Sequence, residues 1–241
     1  HNHELRDRRS GKPGIHDIIL FISGLNAACE VNRDMLSREQ HVPPPEVRLA
    51  AGLMAGGRSM RMGTDKSLLK IGPALLWKRQ LALLESITDR VGVVAPERPA
   101  WLEEPIEWVP DSPIGSGPAS GLLGALNWCT SAGASHLILL AVDLPNISKE
   151  SLMDLIMGVR PGIGIVPRSG HWLEPLCAIY PCEAANSLKI GLSAGRNKLQ
   201  DLVGHLVDEG TMVERVLSPA EELVFFNLNT PEDLLILQNA Q

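Results

Sequence analysis

The chain has 241 residues, of which 44% are hydrophobic and 21% are charged, and its formal net charge is -6. This length and apolar content suffice for one sizeable α/β core. The negative charge argues against a general nucleic-acid or anionic-membrane surface, because such a surface needs a basic footprint. Any anion that the protein binds is therefore expected to meet a local cluster of positive groups.

The four cysteines, Cys29, Cys129, Cys177 and Cys182, are scattered along the chain, and no two have the C-x-x-C spacing of a zinc site. We therefore expect a reduced, cytoplasmic protein. No apolar run approaches the ~18 residues that a membrane-spanning helix needs. Neither a membrane nor a nucleic acid is expected as a partner.

The N-terminal part of the chain differs from the rest. Basic residues precede the short apolar run Ile18–Ile22, and Pro43–Pro45 cannot continue a helix or a central strand. We predict a weakly structured extension and proline linker over residues 1–45, followed by one folded domain over residues 46–241. A secretory signal is disfavoured, because the apolar run is short and is followed by a glycine.

A short apolar strand, predicted over Leu49–Met54, runs into a glycine-rich basic loop. Gly56 and Gly57 lack a Cβ and accept positive φ, so backbone N–H groups there can turn toward an anion. Arg61 and Lys66 add positive charge that suits phosphate. The loop is predicted to bind phosphate, although it is not the usual P-loop, because an aspartate precedes Lys66 where that motif has a glycine. The alternative is a solvated turn.

Strands and helices are predicted to alternate after the loop. Helical spacing of apolar residues predicts a helix from Pro73 to about Ile87, and apolar runs predict strands over Val91–Ala95 and Ile106–Val109. This rhythm is typical of a mainly parallel sheet. Asp111 follows the third strand, where loops line the ligand crevice of an open α/β sheet, so Asp111 is expected to face a ligand. Its alternative role is to cap or form a turn before the helix predicted over Leu122–Trp128.

The apolar run His136–Val142 predicts a central strand that helices cover on both faces. Asp143 stands at the carboxyl end of this strand. Mg²⁺ favours one or two carboxylates together with substrate phosphate oxygens, so Asp143 is the predicted metal ligand. The alternative is that Asp143 caps a turn before Pro145.

The second half of the chain continues the alternation. Strands are predicted over Ile163–Val166 and Leu176–Tyr180, and their connector carries basic and aromatic groups that suit either a second, anionic substrate or a plain hairpin loop. A helical stretch follows from Cys182 to Glu209. Asn227 and Asn229 would lie on one face of a strand and offer two amides to one site.

The loop sequence Ala-Gly-Gly, then Ser-x-Arg-Met-Gly-x-Asp-Lys and Leu-Leu, closely resembles the signature of the molybdenum cofactor guanylyltransferases. The blocks around Asp143 and Asn227 fall in the order of that family, so the resemblance covers about residue 49 to the C-terminus. It implies a Rossmann-like, doubly wound α/β fold of the nucleotidyltransferase type. It also implies transfer of GMP from GTP to molybdopterin carrying molybdenum, with release of pyrophosphate and Mg²⁺ as cofactor.

The resemblance also implies roles for individual residues. The catalytic set is Lys66, Arg61 and Asp143, with Asp143 as the Mg²⁺ ligand. The GTP-binding set is Met54, Ala55, Gly56, Gly57, Lys66, Asp111 and Asp143. Asn227 and Asn229 match the family segment Asn-x-Asn-Thr-Pro-Glu-Asp and are assigned to the pterin side. Molybdenum cofactor insertion proteins or apo-molybdoenzymes are the implied transient partners.

Two other functions remain open from the sequence. A cytidylyltransferase acting on the same pterin has a loop resembling Ala-Ala-Gly, where this chain has Ala55-Gly56-Gly57. A non-catalytic nucleotide- or cofactor-binding protein could keep the same fold. The intact Lys66 and Asp143 favour an enzyme, and the glycine pair favours guanine.

Overall fold

The computed structural model describes residues 46–55, 66–103, 105–113, 117–228 and 233. The predictions for residues 1–45 and for Gly56, Gly57, Arg61 and Asn229 lie outside this part of the chain. Within it, strands and helices alternate as the sequence indicates. None of the helices in the described ranges is both long enough and apolar enough to cross a bilayer.

The elements are numbered here in chain order. They are β1 (Leu49–Met54), a 3-10 helix (Lys66–Leu68), β2 (Lys70–Ile71), β3 (Ala74–Leu75), α1 (Leu76–Glu85), β4 (Val91–Val94), β5 (Glu107–Val109), α2 (Pro118–Ser131), β6 (His136–Ala141), α3 (Lys149–Ile156), β7 (Gly164–Ser169), β8 (Trp172–Leu173), β9 (Cys177–Pro181), α4 (Ala184–Ser193), α5 (Leu199–Asp208), β10 (Met212–Val216) and α6 (Pro219–Glu222).

One mixed sheet organises these elements, with the strand order β10-β7-β9-β6-β1-β4-β5 and with β8 paired to β7. β1 lies parallel to both β4 and β6, and β5 extends the parallel half. β9 is antiparallel to β6 and β7, because the short connection between β7 and β9 leaves no room for the crossover that parallel strands need. The prediction of a mainly parallel α/β sheet is confirmed.

The central strand β6 shows why the fold has two helical layers. All six of its residues are buried. Leu137 and Leu139 belong to one apolar cluster, with side chains from α2, α4 and α5. Ile138 and Leu140 belong to the other cluster, with side chains from α1 and α3. Alternate residues of a strand face opposite sides, so the continuous apolar run requires helices on both faces, as predicted.

Two helix boundaries differ from the prediction. The helix expected from Pro73 begins at Leu76, because Ala74–Leu75 pairs with Lys70–Ile71 in a small antiparallel hairpin. The helix expected over Leu122–Trp128 begins earlier, at Pro118. Proline suits the first helical position, and Gly117 before it has φ of +72°, which glycine adopts without strain.

The imidazole of His136 is buried at the start of β6. Its Nδ1 lies 3.0 Å from Ser135 Oγ, and its Nε2 lies 3.0 Å from the carbonyl oxygen of Arg160. Burial lowers the pKa of His136 below its ordinary value of 6.5, because a charged imidazolium loses its hydration there. The folded protein therefore holds this histidine in its neutral form at neutral pH.

Acidification is expected to destabilise the fold through His136. Between its folded pKa and 6.5, the unfolded chain binds the proton and the folded chain does not, so the free energy of unfolding falls as pH drops through this window. His136→Gln does not titrate and keeps a donor for the Arg160 carbonyl, so the fall between about pH 7 and pH 5.5 should be smaller. Urea denaturation of wild type, His136→Gln and the exposed control His171→Gln measures this difference. Equal falls in all three proteins would contradict the assignment.

Candidate active site

The candidate site lies where the strand order changes direction. From β1 the chain adds β4 and β5 on one side, and β6 then pairs on the other side of β1. Ligands of open α/β sheets bind at the carboxyl ends of strands at such a switch point. Ala55, Asp111 and Asp143 follow the carboxyl ends of β1, β5 and β6, so three predicted site residues share one edge of the sheet.

Lys66 and Asp143 form an ion pair at this edge. The Nζ atom of Lys66 lies 3.1 Å from Oδ2 of Asp143, and the two side chains are 17% and 24% exposed. They are 77 positions apart in the chain. Partial burial weakens solvent screening, so this pair interacts more strongly than a typical surface pair. The structure thus brings together a predicted phosphate-binding lysine and a predicted metal-binding carboxylate.

The backbone of Met54 and Ala55 extends the sheet into the crevice. The Met54 carbonyl accepts a hydrogen bond from the Val142 N–H at 3.0 Å, and the Ala55 N–H donates to the Val94 carbonyl at 2.9 Å. These two backbone groups therefore stabilise the start of the loop. The contact of this segment with guanosine stays a prediction.

Asp111 is held against the first turn of α2. The Ser112 N–H donates to the Ser120 carbonyl at 3.0 Å. A Cβ atom added to Gly121 would lie 3.3 Å from Oδ1 of Asp111 and 3.0 Å from Cε of Met54, so the absence of a side chain lets all three residues pack closely. Partial burial raises the pKa of Asp111 above its ordinary value. The Asp111 carboxylate and the end of the Met54 side chain thus both lie against Gly121, and the contact of Asp111 with a ligand stays a prediction.

Asn227 is positioned near the site by a backbone hydrogen bond of the next residue, Leu228. The Leu228 N–H donates to the Asp143 carbonyl at 2.8 Å, and the Leu228 side chain is buried. The prediction of a strand around Asn227 was wrong. Residues 226–228 have no regular secondary structure. The backbone hydrogen bond from Leu228 to Asp143 takes the place of strand pairing here. Asn227 directly precedes Leu228 in the chain, so its backbone lies near Asp143.

A pocket of about 290 Å³ opens next to this position. Its walls come from the start of α2, the turn after β6, the β8 hairpin and the start of α5, and include Pro118, Leu144, Trp172, Glu174, Gln200 and Asn227. The Gln200 amide donates to the Leu173 carbonyl at 2.6 Å and accepts from its N–H at 3.2 Å, which ties α5 to the hairpin.

The connector between β7 and β9 forms one of the two structures that the sequence left open, and its contact with a second substrate stays a prediction. It is a hairpin, since Trp172–Leu173 pairs back on β7, and its Trp172 side chain is 50% exposed and lines the pocket. Arg168 forms an ion pair with Glu214 instead. Sequence reasoning missed Gln200, because its helical stretch carries no motif that marks a site.

The acidic groups of the site suit one class of metal ion and not another. In the described part of the chain, no cluster of three or more histidine, cysteine, aspartate or glutamate side chains is arranged to hold a metal. A closed protein cage, such as a structural zinc site, therefore does not fit these residues. An oxygen-binding cation such as Mg²⁺ does fit, because it needs only one or two carboxylates when a nucleotide supplies phosphate oxygens.

Comparison with known sequences adds to this geometry. The model of the MobA-like NTP transferase domain matches residues 51–210. A protein named probable molybdenum cofactor guanylyltransferase from Opitutus terrae is 36% identical over 186 residues, covering 77% of this chain and 92% of that protein. A protein of the same name from Chloroflexus aggregans is 33% identical over 204 residues, with 81% and 96% coverage.

Solved structures share the fold. Molybdopterin-guanine dinucleotide biosynthesis protein A from Archaeoglobus fulgidus superposes with a TM-score of 0.64 at 22% identity, over 79% of this chain and 97% of that one. A nucleotidyl transferase from Methanothermobacter superposes with a TM-score of 0.62 at 21% identity, over 80% and 96%. These likenesses concern the α/β architecture.

The packing of α2 under the Asp111 loop can be tested at Gly124. A Cβ atom there would lie 2.2 Å from the Pro110 carbonyl oxygen, so Gly124→Ala should push helix and loop apart and lower the free energy of unfolding by about 1–3 kcal/mol. The matched control is Gly204→Ala in α5, where an added Cβ meets no atom within 4 Å. That change should raise stability by up to about 1 kcal/mol, because alanine favours helix. Urea denaturation of both variants measures the contrast, and similar effects would refute the close packing.

Proposed function

The chain belongs to the MobA-like NTP transferase family, and from this premise we propose that it is a molybdenum cofactor guanylyltransferase. The reaction is transfer of GMP from GTP to molybdopterin carrying molybdenum, with release of pyrophosphate. Relatives of 33% and 36% identity over most of both chains bear this name. The observation that carries the proposal is the Lys66–Asp143 pair at the switch point of the sheet.

The nucleotide would bind along the edge formed by β1, β5 and β6. Its proposed contacts are Met54, Ala55, Gly56, Gly57, Lys66, Asp111 and Asp143. Support comes from the position of Asp111 against Gly121 and from the glycine-rich sequence after β1. The acidic chain thus meets a polyphosphate through a local set of cations and N–H groups.

The chemistry is an in-line displacement at phosphorus. A terminal phosphate oxygen of the pterin attacks the α-phosphorus of GTP, and the bond from that phosphorus to the bridging oxygen breaks, so pyrophosphate leaves. Such a step needs positioning and charge neutralisation more than covalent catalysis. Lys66 and Arg61 would stabilise the charge that develops on the phosphate oxygens.

Asp143, together with phosphate oxygens of GTP, would hold Mg²⁺, which neutralises charge on the pyrophosphate leaving group. The Asp143 carboxylate is paired with Lys66 at 3.1 Å. Lys66 must exchange this carboxylate for a phosphate when GTP binds. The ion pair therefore keeps both groups at the site, each with a partner, until the substrate arrives.

The pocket beside Asn227 suits the pterin. Trp172 offers an exposed aromatic face for a planar ring, and an asparagine amide both donates and accepts hydrogen bonds. The side chains that line the pocket in the described ranges include no lysine, arginine or histidine. The pterin phosphate would accordingly point out of the pocket, toward Lys66. Asn229 is assigned to the same side by its place in the sequence motif.

We place the reaction in the cytoplasm, where thiols stay reduced. The product is a cofactor, so the protein would contact molybdenum cofactor insertion proteins or apo-molybdoenzymes transiently.

The direct test mixes the purified full chain with Mg²⁺ and molybdenum-loaded molybdopterin, adds GTP or CTP, and measures pyrophosphate release. Release with GTP alone is expected. Release with CTP alone would identify a cytidylyltransferase and overturn the choice of base. GTP binding without release of pyrophosphate would indicate a binding protein.

Loss of either partner of the ion pair should slow the reaction without unfolding the protein. Lys66→Ala and Asp143→Asn are each expected to lower the rate on the order of 100-fold or more, because each removes charge stabilisation from the transition state. Asp143→Asn should also need more Mg²⁺ for half-maximal rate.

Matched controls are Lys78→Ala and Asp154→Asn, whose side chains are 51% and 64% exposed and form surface ion pairs elsewhere. Both should retain near wild-type rates of pyrophosphate release. Near-normal turnover by Lys66→Ala or Asp143→Asn would remove that residue from the mechanism.

A further inference from the structure

Two cysteines meet at the end of α2 that is remote from Asp111. Cys129 lies in the last turn of α2 and is fully buried. Cys182 directly follows β9 and is partly exposed. Their Sγ atoms are 3.3 Å apart, although 53 positions separate the residues in the chain. This pair lies outside the candidate active site and does not depend on the proposed function.

One short turn holds both cysteines in place. The Ala134 N–H donates to the Cys129 carbonyl at 3.1 Å, and the Cys182 N–H donates to the Ser135 carbonyl at 2.9 Å. The sulfur of Cys182 also lies 3.5 Å from the Ala134 carbonyl oxygen. Hydrogen bonds on both sides of the turn therefore fix the two backbones, and the contact between the sulfur atoms is built into the fold.

The two thiols differ in reactivity. The hydrogen bond between the sulfur atoms lowers the pKa of Cys182 below its ordinary value, so its thiolate forms more readily than that of an unperturbed cysteine. The same contact, together with burial, raises the pKa of Cys129. A partly exposed, low-pKa thiol next to a buried second thiol is the arrangement in which oxidation of the first residue is resolved by the second.

We propose that Cys129 and Cys182 form a redox-responsive dithiol that a peroxide converts reversibly into an intramolecular disulfide. The Cys182 thiolate attacks one oxygen of hydrogen peroxide, the O–O bond breaks, and a sulfenic acid forms as the other oxygen leaves as hydroxide and takes up a proton to become water. The Cys129 sulfur then attacks the Cys182 sulfur, and the sulfenic oxygen leaves as water with the Cys129 proton. Two thiols lose two electrons and two protons, and the peroxide becomes two molecules of water.

The disulfide would join the end of α2 to the end of β9. The sulfur atoms need to approach from 3.3 Å to about 2.05 Å. The bond would close a loop that contains β6, α3, β7, β8 and β9, and so would restrict the unfolded chain. We therefore expect the oxidised protein to melt at least about 3 °C higher than the reduced protein.

Cys177 provides an internal comparison. It is fully buried in β9, and burial raises its pKa, so it should not react with a small excess of peroxide. Cys29 lies outside the described residues. Its replacement in Cys29→Ser prevents cross-links between chains, and this variant serves as the parent for the experiment.

In the test, the full-length Cys29→Ser protein is treated with a small excess of hydrogen peroxide, alkylated and mapped by tryptic mass spectrometry. The expected product is a peptide pair that joins Cys129 to the peptide 169–189 and that dithiothreitol separates. This peptide contains both Cys177 and Cys182, so the assignment uses tandem spectra and two further variants. The cross-link should persist in Cys177→Ala and disappear in Cys182→Ser.

A cross-link through Cys177, a sulfinic acid at Cys182 without a cross-link, or unchanged thiols would each overturn the proposal. A disulfide that forms but lowers the melting temperature would overturn the stabilising role assigned to it. Because Cys182 is partly exposed, Cys182→Ser is expected to fold, and its melting temperature should not respond to peroxide.

Discussion

The site depends on the parallel pairing of β1 with β6. Their register sets Met54 opposite Ala141, so both strands end at the same edge and the chain leaves each of them toward the same crevice. β6 is buried on both faces, which means that a slip of one residue would exchange the side chains of its two apolar clusters. The packing of the core therefore fixes the register, and the register places Asp143 at the edge where it pairs with Lys66 at 3.1 Å.

This constraint explains how an acidic protein can offer a site for a polyphosphate. The net charge of -6 is a property of the whole surface, whereas the crevice holds a lysine and a carboxylate that neutralise each other. The partly buried pair avoids the free-energy cost of an isolated charge. In the proposed reaction, a metal-bound nucleotide would separate the two groups by bringing a negative charge to Lys66 and a positive charge to Asp143.

The sequence predicted the parts of the fold that local pattern determines. The apolar runs of β1 and β6 predicted two buried parallel strands, and hence the position of Asp143 at their carboxyl edge. Tertiary contacts decided the rest. The direction of β9 follows from a short connection, and the coil at Asn227 follows from the Leu228 bond to Asp143. The pocket could not be predicted, because its walls come from segments far apart in the chain and Gln200 carries no local signal.

α2 connects the Asp111 loop at its first turn with the pair of Cys129 and Cys182 at its last turn. Its first turn packs Gly121 against Asp111, and Gly124 lies directly over the Pro110 carbonyl, so the Asp111 loop cannot move unless the helix moves. Its last turn carries Cys129 next to Cys182. Between these ends, every residue from Ala119 to Leu126 is buried, and dense packing resists displacement of a helix as a whole. Side-chain rotation can bring the two sulfur atoms together, so a disulfide at one end would restrain α2 without displacing Asp111 at the other.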